Sequence, residues 1–203
     1  MTNLGRLTFF FAILALVVAA RPASAEVLRD EATGVTFSVP KGWFVAQAAD
    51  MLDPRDVEFG TAQFQSAVRN YRGPKPQAVL KYKEPYPDLN PSVQFQTFPK
   101  PAPDISETDF LSAAIVALRM NLNQAAIIKP VSVVKLSGRK AAHCVFDYVL
   151  TYAGQTIPVR AEIWIAEASG RMVLLKTAAK RDDAKALKEL RSVASRIAFT
   201  SAR

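Results

Sequence analysis

From Val131 to Ala179 the chain runs through segments in which apolar and polar residues alternate: "VSVVKL", "KAAHCVFDYVLTY", "TIPVRAEIWIAEA" and "MVLLKTAA". Successive side chains of a strand point to opposite faces, so such alternation marks strands. The breaks between them are Ser137-Gly138, "AGQ" and "SGR". Breaks this short join antiparallel neighbours, because a parallel crossover takes about a dozen residues or more. The stretch predicts a four-strand antiparallel meander, and the rest of the chain has to pack against that sheet.

Two segments read as helices to cover it. In "DISETDFLSAAIVALRMNLNQ", Ser106 followed by Asp109 resembles a capping box, with Asp in place of the usual Glu or Gln. Phe110, Leu111, Ala114, Ile115, Leu118 and Leu122 then fall on one apolar stripe, the pattern of a core-facing helix. "KRDDAKALKELRSVASRIAF" is the second, with Asp182 and Asp183 at the positive end of its dipole. At 100° per residue, Arg181, Lys185, Lys188, Ser192 and Arg196 fall within about 80° of one another. Ala186, Leu187, Leu190, Val193, Ala194 and Ile197 lie opposite and predict the buried side. Glu189 borders the basic stripe, spaced to pair with Lys185 at i,i+4. Arg181, Lys185, Lys188 and Arg196 are therefore the candidate partner-binding residues.

The first half of the chain is less regular. "TGVTFSVPKGWFVAQ" alternates at Val35, Phe37 and Val39, turns at Pro40-Lys41-Gly42 and resumes at Trp43 and Val45. This predicts an N-terminal hairpin. Asp50, Asp53, Asp56 and Glu58 cluster in "ADMLDPRDVEFG", but without the spacing of a calcium loop or a nearby histidine. Asp53 before Pro54 reads instead as a helix N-cap or turn residue, with a short helix over "VEFGTAQFQSAVRNY". Between Gly73 and Asp104 stand eight of the chain's 13 prolines. The strands inside, "AVLKYK" and "SVQFQTF", are expected to be short or to lie at an edge, since proline cannot donate to a ladder.

The first 25 residues do not fit the fold. Arg6, the apolar run "LTFFFAILALVVAA" and the A-x-A site Ala23-Ser24-Ala25 read as a cleaved signal peptide. The run is short for a bilayer span, and no later run is long enough. Residues 26–203 are then a single domain, periplasmic or secreted and soluble, with no transmembrane span. No cysteine lies near the cleavage site to carry a lipid anchor. Losing Arg6 and Arg21 from 26 basic residues leaves 24 against 18 acidic, a formal +6. In an exported protein this excess favours an envelope protein or anionic surface over nucleic acid as the partner. One cysteine allows no internal disulfide.

That cysteine, Cys144, stands beside the chain's one histidine, His143. Side by side in sequence they suggest a nucleophile and its base, but adjacent residues of a strand face opposite ways. Cys144 belongs with Ala142, Phe146, Tyr148 and Leu150 on the more apolar face and reads as a core residue. His143 shares the other face with Asp147, roughly 13 Å further along the strand and out of reach. There is no G-x-S-x-G, no glycine-rich phosphate loop and no second histidine for a histidine-rich metal site. The sequence therefore calls for no catalytic residue, no metal and no cofactor.

Gly34, Val35, Phe37, Pro40, Gly42 and Trp43 in "GVTFSVPKGW", with the later "SGRKAAHCVFDY", resemble the PsbP/DcrB-like family of exported proteins. The resemblance spans about Glu26 to Thr200, in pattern more than identity. It implies an α+β fold, an α/β/α sandwich with a central, mainly antiparallel sheet, in which His143 too would be partly covered. It also implies a non-catalytic binding or adaptor module that assists assembly of an envelope complex. The lack of a lipid-bearing cysteine departs from many bacterial relatives. The competing expectation is a small exported hydrolase using carboxylates or a serine.

Overall fold

The computed structural model describes residues 26–46, 57–71, 76–84 and 86–199. The signal-peptide segment 1–25 and the carboxylates Asp50, Asp53 and Asp56 lie outside these residues. In chain order the elements are β1 (Val27–Asp30), β2 (Val35–Ser38), β3 (Phe44–Val45), β4 (Val57–Glu58), α1 (Ala62–Arg69), β5 (Gln77–Leu80) and β6 (Ser92–Pro99). There follow α2 (Glu107–Asn121), β7 (Ala126–Leu136), β8 (Arg139–Tyr152), β9 (Gln155–Ala168), β10 (Arg171–Lys180), α3 (Ala184–Ala194) and β11 (Ile197–Phe199).

The meander forms as its alternation requires. β7, β8, β9 and β10 pair antiparallel in succession. Its turns share one chemistry: Ser137-Gly138, Ala153-Gly154 and Ser169-Gly170 all have positive φ at both residues. That is the type I′ geometry, whose twist matches the strands it joins. Glycine takes the second position at no steric cost, while Ser137, Ala153 and Ser169 tolerate φ near 50°.

The meander is the larger part of an eight-stranded sheet of order β3-β5-β6-β10-β9-β8-β4, with β7 also on β8. A second sheet, β1-β2-β11, lies apart from it. One face of the large sheet presents Cys144, Phe146, Tyr148, Ile163 and Ile165 to α1 and α2. The other presents Ala141, Trp164, Ala166, Val173 and Leu175 to α3 and the small sheet. The architecture is thus α+β, a mainly antiparallel central sheet covered on both faces.

Several local expectations are corrected. No hairpin forms across Pro40–Gly42. The turn exists, with Trp43 N–H donating to the Pro40 carbonyl at 3.1 Å, but β2 pairs β1 and β11 while β3 pairs β5. Alternation identifies the buried face of a strand and not its neighbour. β6 is neither short nor an edge; it pairs β5 on one side and β10 on the other. Its prolines stand at its ends, Pro91 before it and Pro99 at its last position, so the ladder interior is intact. Val57 and Glu58 form β4, and the short helix starts only at Ala62, capped by Thr61. The last helix stops at Ala194, so Ile197 is buried in β11 and not on a helix.

Candidate functional site

The basic stripe read from the sequence lies on and around α3. Asp183 caps this helix, its Oδ1 accepting from Ala186 N–H at 2.8 Å. Ala186, Leu187, Leu190, Val193 and Ala194 enter the core beneath it. Lys185, Lys188 and Ser192 face outward and are exposed. Arg181 stands before the helix and Arg196 after it, both exposed. Of the four candidates only Lys185 and Lys188 stand on the helix, which is shorter than the sequence predicts.

The expected pairing of Glu189 with Lys185 does not form. Glu189 accepts instead from Lys81, next to β5, at 2.5 Å. Burial opposes the charge on Lys81, but its hydrogen bond to Glu189 and the attraction of that carboxylate together, with smaller help from Tyr82, raise the Lys81 pKa. A side chain that sequence spacing offers to its own helix is claimed here by a neighbouring element. Lys185 and Lys188 have no ion pair among the described residues.

Beneath α3 lies a polar cluster that the sequence did not disclose. Glu162 of β9 is buried, 3% exposed, and receives Arg191 Nε of α3 at 2.5 Å. His143 Nε2 approaches its other oxygen at 3.3 Å, so the ring donates to the ionised carboxylate. His143 also stacks on Trp164, its partner across β8 and β9, with centroids 4.8 Å apart. Burial pushes the Glu162 carboxyl up, but the hydrogen bonds from His143 and Arg191 hold it below its ordinary value. Glu162 was legible only as one charge of β9 beside Arg160 and Glu167. Its partners come from β8 and α3, which no spacing within β9 indicates.

Cys144 lies on the opposite face, buried, with its Sγ 3.2 Å from the Lys129 carbonyl. Burial pushes its thiol up to about 11, which disfavours the thiolate a nucleophile needs. Asp147 pairs with Arg160 through contacts of 2.7 and 2.9 Å and not with His143. Ser132 is directly opposite His143 on β7, where the ladder pairs their backbones. The cluster thus has the parts of a base and its orienting acid without a nucleophile in contact. On the same face as Cys144, Lys176 is buried next to Gln94, and burial brings its amine down to about 8.

A cleft between α2 and the start of β7 is lined by Ile115, Leu118, Arg119, Ala125, Ala126, Ile127 and Phe146, apolar but for the arginine. Among the described residues no group of three or more His, Cys, Asp or Glu side chains is placed to hold a metal ion. Among the same residues no helix is long and apolar enough to cross a membrane.

No family model matches the sequence, and no curated protein matches it. Solved structures resemble it at low identity. LpqN, involved in cell envelope biogenesis of Mycobacterium tuberculosis, is 16% identical, with 86% of this chain and 90% of that one covered and a TM-score of 0.45. The cyanobacterial PsbP of Synechocystis sp. PCC 6803 is 16% identical over 88% of this chain and 95% of its own, at a TM-score of 0.47. A protein of unknown function from Pseudomonas aeruginosa is 11% identical over 89% and 99%, at 0.44.

Proposed function

We propose that this chain is an exported, non-catalytic binding module that docks an acidic protein or anionic surface of the envelope through the outer ridge of α3. Residues 1–25 serve as its signal peptide, and residues 26–203 act as one periplasmic or secreted domain. The observation that carries this reading is the state of Lys185 and Lys188. Both are exposed, between Arg181 and Arg196, and the one acidic residue of α3, Glu189, is turned to Lys81. The ridge keeps its positive charge for a partner. Asp182 and Asp183 stand before the helix, and Asp183 is taken up as its cap.

The test is co-sedimentation of the mature chain with envelope fractions and with phosphatidylglycerol vesicles. The wild type should associate, and association should fall as salt rises, because exposed charges are screened over about 8–10 Å at physiological ionic strength. The double variant Lys185→Glu, Lys188→Glu should lose that association while unfolding at the same temperature as the wild type. Salt-insensitive association, or equal binding by the reversed protein, would reduce the ridge to a solubilising surface.

A further inference from the structure

At the edge of the large sheet, the strand β7 is unlike its neighbours. β8, β9 and β10 are buried along most of their length, whereas every residue of β7 before Leu136 is exposed or half-buried. Its apolar side chains are not sheltered: Val133 is 58% exposed, and Ile127 and Ile128 are exposed as well. Ile127 and Val133 pair with Phe146 and Ala142 and so share the face covered by α2. Val116 and Met120 of that helix are exposed too, but opposite its buried stripe. Exposed apolar groups along an edge strand mark an interaction surface.

The backbone at this edge is also open. Leu136 and Arg139 close the type I′ turn, so they exchange both ladder hydrogen bonds, and Val134–Ala141 and Ser132–His143 repeat that pattern. The alternate residues, Val133 and Lys135, therefore turn their N–H and C=O groups away from β8. The first half of β7 offers no such row, since Pro130 lacks a donor and the register shifts on both sides of Lys129.

Charge selects the occupant. β7 contains Lys129 and Lys135 and no acidic residue. Lys140 of β8, opposite Lys135, is exposed beside it. The acids at the start of α2 are already engaged, Glu107 by Lys140 at 3.4 Å and Asp109 by Ser106 Oγ at 2.6 Å. A second copy of β7 would bring lysines against lysines, the device by which edge strands avoid pairing with themselves. We infer that the edge at Ser132–Leu136 receives an extended segment of another protein that sets an apolar and an acidic residue two apart on one face. Its backbone adds a strand at Val133 and Lys135, its apolar side chain covers Val133, and its carboxylate meets Lys135, both on the face that β7 shares with α2. The edge adjoins the end of α3, where Ser137 Oγ donates to the Ser195 carbonyl at 3.2 Å, but it does not use Lys185 or Lys188.

The probe is a synthetic peptide of Val-Thr-Glu-Thr repeats, which sets Val and Glu two apart on one face, added to the isotopically labelled mature chain. Saturable binding with slowed amide exchange at Val133 and Lys135 is expected, and the same Val peptide with Lys in place of Glu should not bind. Lys135→Glu exchanges attraction for repulsion across a strand pair, so it should weaken the Val and Glu peptide roughly five-fold and admit the Val and Lys one. The variant Lys185→Glu, Lys188→Glu should bind the peptide as the wild type does, which separates this site from the ridge of α3. The inference is overturned by unslowed exchange at Val133 and Lys135, or by equal affinity of Lys135→Glu. It is equally overturned if those amides are protected by phosphatidylglycerol vesicles or by self-association in place of the peptide.

Discussion

Glu162 shows at the scale of one residue how a buried charge is made tolerable. A carboxylate taken out of water is costly unless it is paired and hydrogen-bonded. Here His143 and Arg191 supply those bonds from two different elements. Because its folded pKa lies below the ordinary value, its stabilisation is complete above about pH 4.3, the pKa of a free Glu, and is lost as pH falls through the lower folded value. Arg191→Ala should then cost roughly 1–2 kcal/mol at pH 7, less than a wholly buried pair because the arginine is half in solvent. Urea unfolding at pH 7 and at pH 3 is the check. The gap between variant and wild type should shrink at pH 3, and a pH-independent gap would assign Arg191 a packing role only. Cys144 carries the opposite lesson, since adjacency to His143 means nothing on a strand. It should react with a thiol reagent only after denaturation, and rapid labelling of the native chain would contradict its place in the core.

Elements are set by caps and faces. Asp182 and Asp183 were equivalent in the sequence as carboxylates at a helix start. The structure separates them, because only Asp183 accepts from the Ala186 amide. Asp183→Ala should therefore cost about 1 kcal/mol, the usual worth of an N-cap. Asp182→Ala should stay within about 0.5 kcal/mol, as exposed substitutions do. Thermal unfolding of the two variants decides it, and equal losses would show that the helix dipole matters here and the cap does not. The stripe of α2 was read correctly, Phe110, Leu111, Ala114, Ile115, Leu118 and Leu122 all being buried. The reach of α3 was not: a 100° wheel continues through Ser195 and Arg196, whereas the chain turns there to enter β11.

The whole molecule is tied together where remote segments meet. Gly60 bridges to Leu122, Thr61 N–H donates to the Asn121 carbonyl at 2.8 Å, and Asn123 N–H donates to Phe59 at 3.0 Å. These contacts fix the start of α1 against the end of α2. A Cβ at Gly60 would stand 2.2 Å from the Asn121 carbonyl oxygen, a backbone atom that cannot swing aside. Gly60→Ala should cost about 1–3 kcal/mol by overpacking. Denaturant unfolding measures it; no loss would mean that this junction yields easily. β11 has a similar part on the other face, where it pairs β2 and joins the two ends of the described chain in one small sheet.

The sequence by itself determined what depends on near neighbours. Alternation and short breaks settled the meander, the apolar stripe settled the buried side of α2, and the strand period separated His143 from Cys144. Only the tertiary structure decided which elements meet. It sent β2 and β3 to different sheets, placed β6 inside the large sheet, gave Glu189 to Lys81 and brought Arg191 and His143 to Glu162. The physical reason is the range of each signal. Periodicity and capping act within a few residues and leave a mark in local order. Strand neighbours and ion pairs between elements are chosen by burial and charge over the assembled molecule, between residues whose separation along the chain carries no such mark.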